Sequence, residues 1–65
     1  MRSTYELALK IETAKAWGVY EDDPEEIVWL PKHRVEQGRR LRQAGLDWIY
    51  EFDIPEDLAI EKGLE

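Results

Sequence analysis

Leu46-Asp47-Trp48-Ile49-Tyr50-Glu51-Phe52-Asp53-Ile54 is the stretch that decides the fold. Leu46, Trp48, Tyr50, Phe52 and Ile54 alternate with Asp47, Ile49, Glu51 and Asp53. A period of two puts one set on each face of a strand, with the aromatic set turned toward a core. The residues after it change register. In Pro55-Glu56-Asp57-Leu58-Ala59-Ile60-Glu61-Lys62-Gly63, the proline suits a first helical turn and the glycine a C-terminal cap. Glu56 and Asp57 would meet the positive end of that helix. Leu58 and Leu64 would pack it on the sheet.

Upstream, Tyr5, Leu7, Leu9 and Ile11 alternate with Glu6, Lys10 and Glu12, which predicts another half-buried strand. Thr13-Ala14 reads as a turn or bulge and Lys15–Tyr20 as a second strand. Gly18 within it marks a bulge or a close backbone approach. Glu21-Asp22-Asp23-Pro24-Glu25-Glu26 is an acidic turn around a proline. Ile27–Leu30 is a short apolar strand stopped by Pro31, completing a hairpin. A helical turn is expected over Pro31–Glu36. Residues 39–44 read as a partly exposed loop or a short helix capped by Gly45. The expected fold class is therefore α+β, a small antiparallel curved sheet of about four strands, or an open barrel, with one C-terminal helix. Residues 1–65 form a single domain.

Sixty-five residues support only a small core, and no cysteine is present to brace it. Added area from self-association would help, so a monomer or a homodimer is expected. No run approaches the roughly 20 apolar residues of a membrane span. The charged start argues against a signal peptide. A reducing cytoplasm is the expected location.

Charge is segregated along the chain. Fifteen acids and nine bases give a net −6, split as −4 over residues 1–31, +4 over 32–46 and −6 over 47–65. That layout describes how a protein meets a partner more than what reaction it runs. No catalytic constellation is legible. His33 stands alone among bases, Ser3, Thr4 and Thr13 have no base at a recognisable spacing, and the glycines are scattered. The acidic turn lacks the spacing of a calcium loop. The expectation is no enzyme, no cofactor and no metal.

Trp17, Trp29 and Trp48 each fall in an expected strand, where the ordinary role is core. A stacking platform for single-stranded nucleic acid would need bases beside them. The bases instead cluster in 32–42, away in sequence from the tryptophan strands. For that cluster the ordinary role is internal pairing with the acidic ends. The acids carry the sharper expectation. Glu21, Asp22, Asp23, Glu25, Glu26, Glu51, Asp53, Glu56 and Asp57 can imitate the phosphates of a duplex and occupy a Lys/Arg groove.

Three blocks add a resemblance. Glu12-Thr13-Ala14-Lys15-Ala16-Trp17, then Val28-Trp29-Leu30-Pro31-Lys32 with Val35-Glu36, then Ile54-Pro55-Glu56-Asp57-Leu58-Ala59 with Glu61-Lys62-Gly63-Leu64, resemble a family of small phage- and prophage-encoded proteins. There, "KAW", "VWLPKSQVE" and "IPEWLAEEKGL" segments recur in that order. The chain departs at His33-Arg34, where Ser-Gln is usual, and at Asp57, where an aromatic is usual. Residues 37–50 match no block. The resemblance implies a mobile-element protein acting in a bacterial cytoplasm. By analogy with other small acidic phage proteins it implies an anti-CRISPR-type inhibitor. Such an inhibitor would be a DNA mimic that binds a DNA-recognising subunit of a CRISPR interference complex, a host effector with a basic DNA-binding surface, and blocks target DNA. The alternative from another class is a nucleic-acid-binding accessory protein of phage replication or recombination. It would work through Trp29, Lys32, Arg34, Arg39, Arg40 and Arg42.

Overall fold

The structure is a computed structural model that describes residues 2–64. Five strands, β1 (Arg2–Glu12), β2 (Ala16–Tyr20), β3 (Val28–Pro31), β4 (Glu36–Ala44) and β5 (Asp47–Pro55), precede one short helix, α1 (Glu56–Glu61). They form a single antiparallel sheet in the order β3-β2-β1-β5-β4, which does not close. The expected strands at both ends of the chain, the 21–26 turn and the closing helix are all present.

The correction concerns the number of strands. Residues 36–44 are neither loop nor helix but a nine-residue edge strand, so the sheet has five strands rather than about four. Leu41 is the one large apolar side chain in that strand, so it shows no apolar alternation. Its neighbour β5 imposes the conformation instead. Gly45 is not a helix cap. It stands with Leu46 between the paired residues Ala44 and Asp47, in a two-residue hairpin. Its φ of 64° at the first loop position, with no positive φ at Leu46, is the pattern of a type II′ turn.

The second correction is one of facing. β1 and β5 pair without interruption, so Tyr5, Leu7 and Leu9 lie opposite Phe52, Tyr50 and Trp48. Between Leu9 and Ile11 the pairing with β2 shifts by one residue. That bulge takes up Lys10 and sets Ile11 opposite Gly18 rather than on the aromatic side. Ile11 is consequently exposed. Gly18 is a place of close approach rather than a bulge. A Cβ there would come within 3.1 Å of Ile27 Cγ2 and 3.2 Å of the Trp29 ring.

The core gathers Leu7, Trp17, Val19, Leu30, Val35, Phe52, Ile54, Leu58 and Ala59. The sheet must curl to assemble it. β3 and β4 are opposite edges, yet Lys32–Val35 joins them, and that link is itself coiled by Val35 N–H donating to the Pro31 carbonyl. The α1 helix closes the inner side with Leu58 and Ala59. Its C-terminus is a left-handed glycine cap, with Leu64 N–H donating to the Ala59 carbonyl and Gly63 at φ 77°.

Candidate functional site

The nine acids singled out from the sequence do not share one surface. Phe52 and Ile54 face the core, so Glu51 and Asp53 point to the other side of the sheet from α1. There each meets an arginine. Arg39 Nε lies 3.3 Å from Glu51 and Arg2 Nε lies 3.2 Å from Asp53. The structure separates this pair from the other seven.

Glu56 and Asp57 open α1, whose other end lies beside the turn. Leu58 and Ala59 take the buried side of α1, which leaves Glu56, Asp57, Ile60 and Glu61 on its outward face. At the far end Lys62 and Gly63 line a shallow concavity of about 390 Å³ with Glu21, Asp22, Asp23 and Glu26. Six helical residues rise only about 9 Å. The β2–β3 turn and the C-terminal end of α1 are therefore neighbours, with Lys62 among the turn acids, and Glu56 and Asp57 stand one helix length away.

The turn is ordered by its own backbone. Asp23 Oδ1 accepts from Glu25 N–H at 2.9 Å, and Glu26 N–H donates to the Asp23 carbonyl at 2.9 Å. Lys10 Nζ, carried on the bulge, donates to the Pro24 carbonyl at 3.0 Å and clamps the loop to β1. Among the described residues, Glu21, Asp22, Asp23, Glu25, Glu26 and Glu56 have no ion-pair partner within 4.0 Å. Asp57 differs, because Arg34 reaches it from the β3–β4 link at 2.8 Å. The Arg34 hydrogen bond holds the Asp57 carboxyl below its usual range.

The basic segment behaves largely as expected of internal pairing, though from a strand and a turn rather than a loop. Lys32 pairs with Glu12 at 2.7 Å, Arg34 with Asp57, Arg39 with Glu51, and Arg42 with Glu6 at 3.0 Å. Glu6 and Glu51 are direct cross-strand neighbours. The two arginines from β4 offset the repulsion that like charges opposite one another would cause. Lys32 also lies 5.4 Å from the Trp17 ring, whose buried Nε1–H has no acceptor among the described residues. Lys15, Lys32 and His33 border a second open hollow with Ala14.

Arg40 is the exception. Its Cζ sits 4.3 Å from the Trp48 ring centroid. The sequence distance between the bases and the tryptophan strands is therefore misleading, because β4 pairs with β5 and lays an arginine on an indole. The only sequence signal for this contact was the hairpin glycine Gly45, which reads equally as a helix cap.

Other expected roles divide along the same lines. Trp17 is core, while Trp29 stands 41% exposed on the far face over Gly18. Among the described residues no group of three or more His, Asp or Glu side chains is disposed to hold a metal ion. Among the described residues no helix is long and apolar enough to cross a membrane. No family model matches the chain, and neither a curated protein nor a solved structure matches it.

Proposed function

We propose that this chain is a non-catalytic binding protein. Its acidic band, the β2–β3 turn and the outward face of α1, occupies a basic nucleic-acid-binding surface of a partner protein. The observation that carries the reading is the uneven neutralisation of the acids. Glu6, Glu12, Glu51, Asp53 and Asp57 are matched by cations, while the turn and Glu56 are not. Five carboxylates without an ion-pair partner among the described residues are thus gathered on the turn, with Lys10 and Lys62 the cations beside it. Such a surface speeds encounter with a positive groove and does so in a salt-dependent way.

The phage-protein resemblance gives the reading its specific form. The chain is an anti-CRISPR-type inhibitor acting in the bacterial cytoplasm. Its acids stand in for target DNA on a DNA-recognising subunit of a CRISPR interference complex. Glu21, Asp22, Asp23, Glu25, Glu26 and Glu56 are the principal contacts, with Asp57 at the margin. Glu51 and Asp53, tied to arginines on the other face, contribute least.

The test is a competition titration against a purified CRISPR interference complex with its target DNA. Salt-sensitive binding that target DNA displaces, lost in an E21K/D22K/E25K variant, is the expected result. Unchanged inhibition by that variant, with its fold intact, would sink the reading.

A further inference from the structure

Four of the five arginines are consumed within the fold, Arg2 by Asp53, Arg34 by Asp57, Arg39 by Glu51 and Arg42 by Glu6. Arg40 alone has neither a carboxylate nor a carbonyl partner among the described residues. It is nevertheless positioned, with its guanidinium held over Trp48. An arginine placed on an aromatic ring keeps its fork of N–H donors available and loses less freedom when it binds an anion. Arg40 is the register partner of Tyr50, two residues from Trp48 on the same side of β5. Trp48 is 37% exposed and Tyr50 half-buried. β4 is an open sheet edge whose side chains are exposed or half-buried. Leu46 is 96% exposed at the hairpin tip.

The carboxylates of β5 lie on the face away from Arg40. Asp47 is engaged by the Tyr20 hydroxyl at 2.6 Å and Glu51 by Arg39, both on the other face of the strand. A guanidinium laid over Trp48, with no carboxylate partner among the described residues and with Tyr50 half-buried beside it, matches a chain of phosphates and unstacked bases. Nucleobases stack on aromatic rings and on guanidinium planes, and phosphates take the fork. We propose that the Arg40–Trp48 face of the β4–β5 hairpin binds single-stranded nucleic acid, Arg40 on a phosphate and the Trp48–Tyr50 surface under a base. This surface is separate from the acidic band and does not depend on the reading given to it.

The experiment is fluorescence anisotropy with a labelled 12-mer oligothymidylate at low salt, an abasic 12-mer of the same charge, and poly-glutamate as competitor. The intact chain should bind the oligothymidylate and weaken as salt rises. Trp48→Ala should lose about 5- to 150-fold, the range for one stacked base. Arg40→Gln lies on the exposed edge and keeps the fold by circular dichroism. It should lower affinity and reduce the salt slope by about 0.7, one single-strand phosphate contact. The E21K/D22K/E25K variant should retain the binding, which separates failure here from failure of the acidic-band reading. Absence of binding at low salt would overturn the proposal. So would equal affinity for the abasic strand, displacement by poly-glutamate at matched charge, or a loss seen with Trp29→Ala rather than Trp48→Ala.

Discussion

The rings of Trp17 and Phe52 lie 5.4 Å apart at 59°, although their register positions are far apart on the sheet. Trp17 is opposite Glu12 and Phe52 is opposite Tyr5, seven residues apart on β1. Along a flat strand those positions would stand about 23 Å apart. Only a sheet curled over on itself brings the rings together, and the bulge at Lys10 lies between the two positions. The contact is the clasp of the fold. Phe52→Ala should therefore cost about 3–5 kcal/mol in urea denaturation, most of the stability of a domain this small. A loss under about 1 kcal/mol would mean that the curl is held elsewhere.

The hairpin turn gives a second prediction. Gly45 has φ 64°, where an L side chain costs roughly 1–2 kcal/mol, and open space where a Cβ would point. Gly45→Ala should destabilise by that amount through the backbone alone. Gly45→Asn should cost less, because asparagine tolerates the left-handed region. Equal melting temperatures for all three chains would contradict the turn assignment.

Tyr20 supplies a pH dependence. Its hydroxyl crosses the buried Ala8 to donate to Asp47 at 2.6 Å. That hydrogen bond, then burial, then the Asp47 charge raise the phenol above its ordinary value. A raised folded-state value favours the protonated form, so the stabilisation is fully present below about pH 10 and is lost as pH climbs through the folded value. Melting curves between pH 8 and 11 should show an alkaline loss that is smaller in Tyr20→Phe. An identical alkaline loss in that variant would assign it to other groups.

The acidic band predicts a separation of stability from binding. Unpaired acids on one turn repel one another, and salt screens that repulsion. E21K/D22K/E25K should melt at or above the temperature of the parent chain at low salt, while losing its partner. The difference should shrink by about 0.5 M salt, where the screening length is only a few ångströms. A variant that unfolds would show instead that these side chains support the hairpin.

Much of the fold was legible because its signals are local. Alternation over 47–54 and 5–9, the acidic turn around Pro24, and the Pro55 and Gly63 punctuation of the helix each depend on neighbours within a few residues. β4 left no such trace. A basic edge strand buries little, so no apolar period marks it, and its strand state comes from hydrogen bonding to β5. Ile11 followed the alternation in sequence and then left it, because the one-residue bulge at Lys10 reverses which face the next side chain takes.

The sequence by itself determined the element types at both ends of the chain, the aromatic face of β5, and the surplus and segregation of charge. Tertiary structure alone decided which charges cancel. The order β3-β2-β1-β5-β4 set Arg39 on Glu51, Arg42 on Glu6 and Arg40 on Trp48. It left the turn acids unmatched beside the end of α1. Ion pairing and stacking act over a few ångströms in space, and which residues come that close is fixed by strand order and curl, which no local pattern encodes.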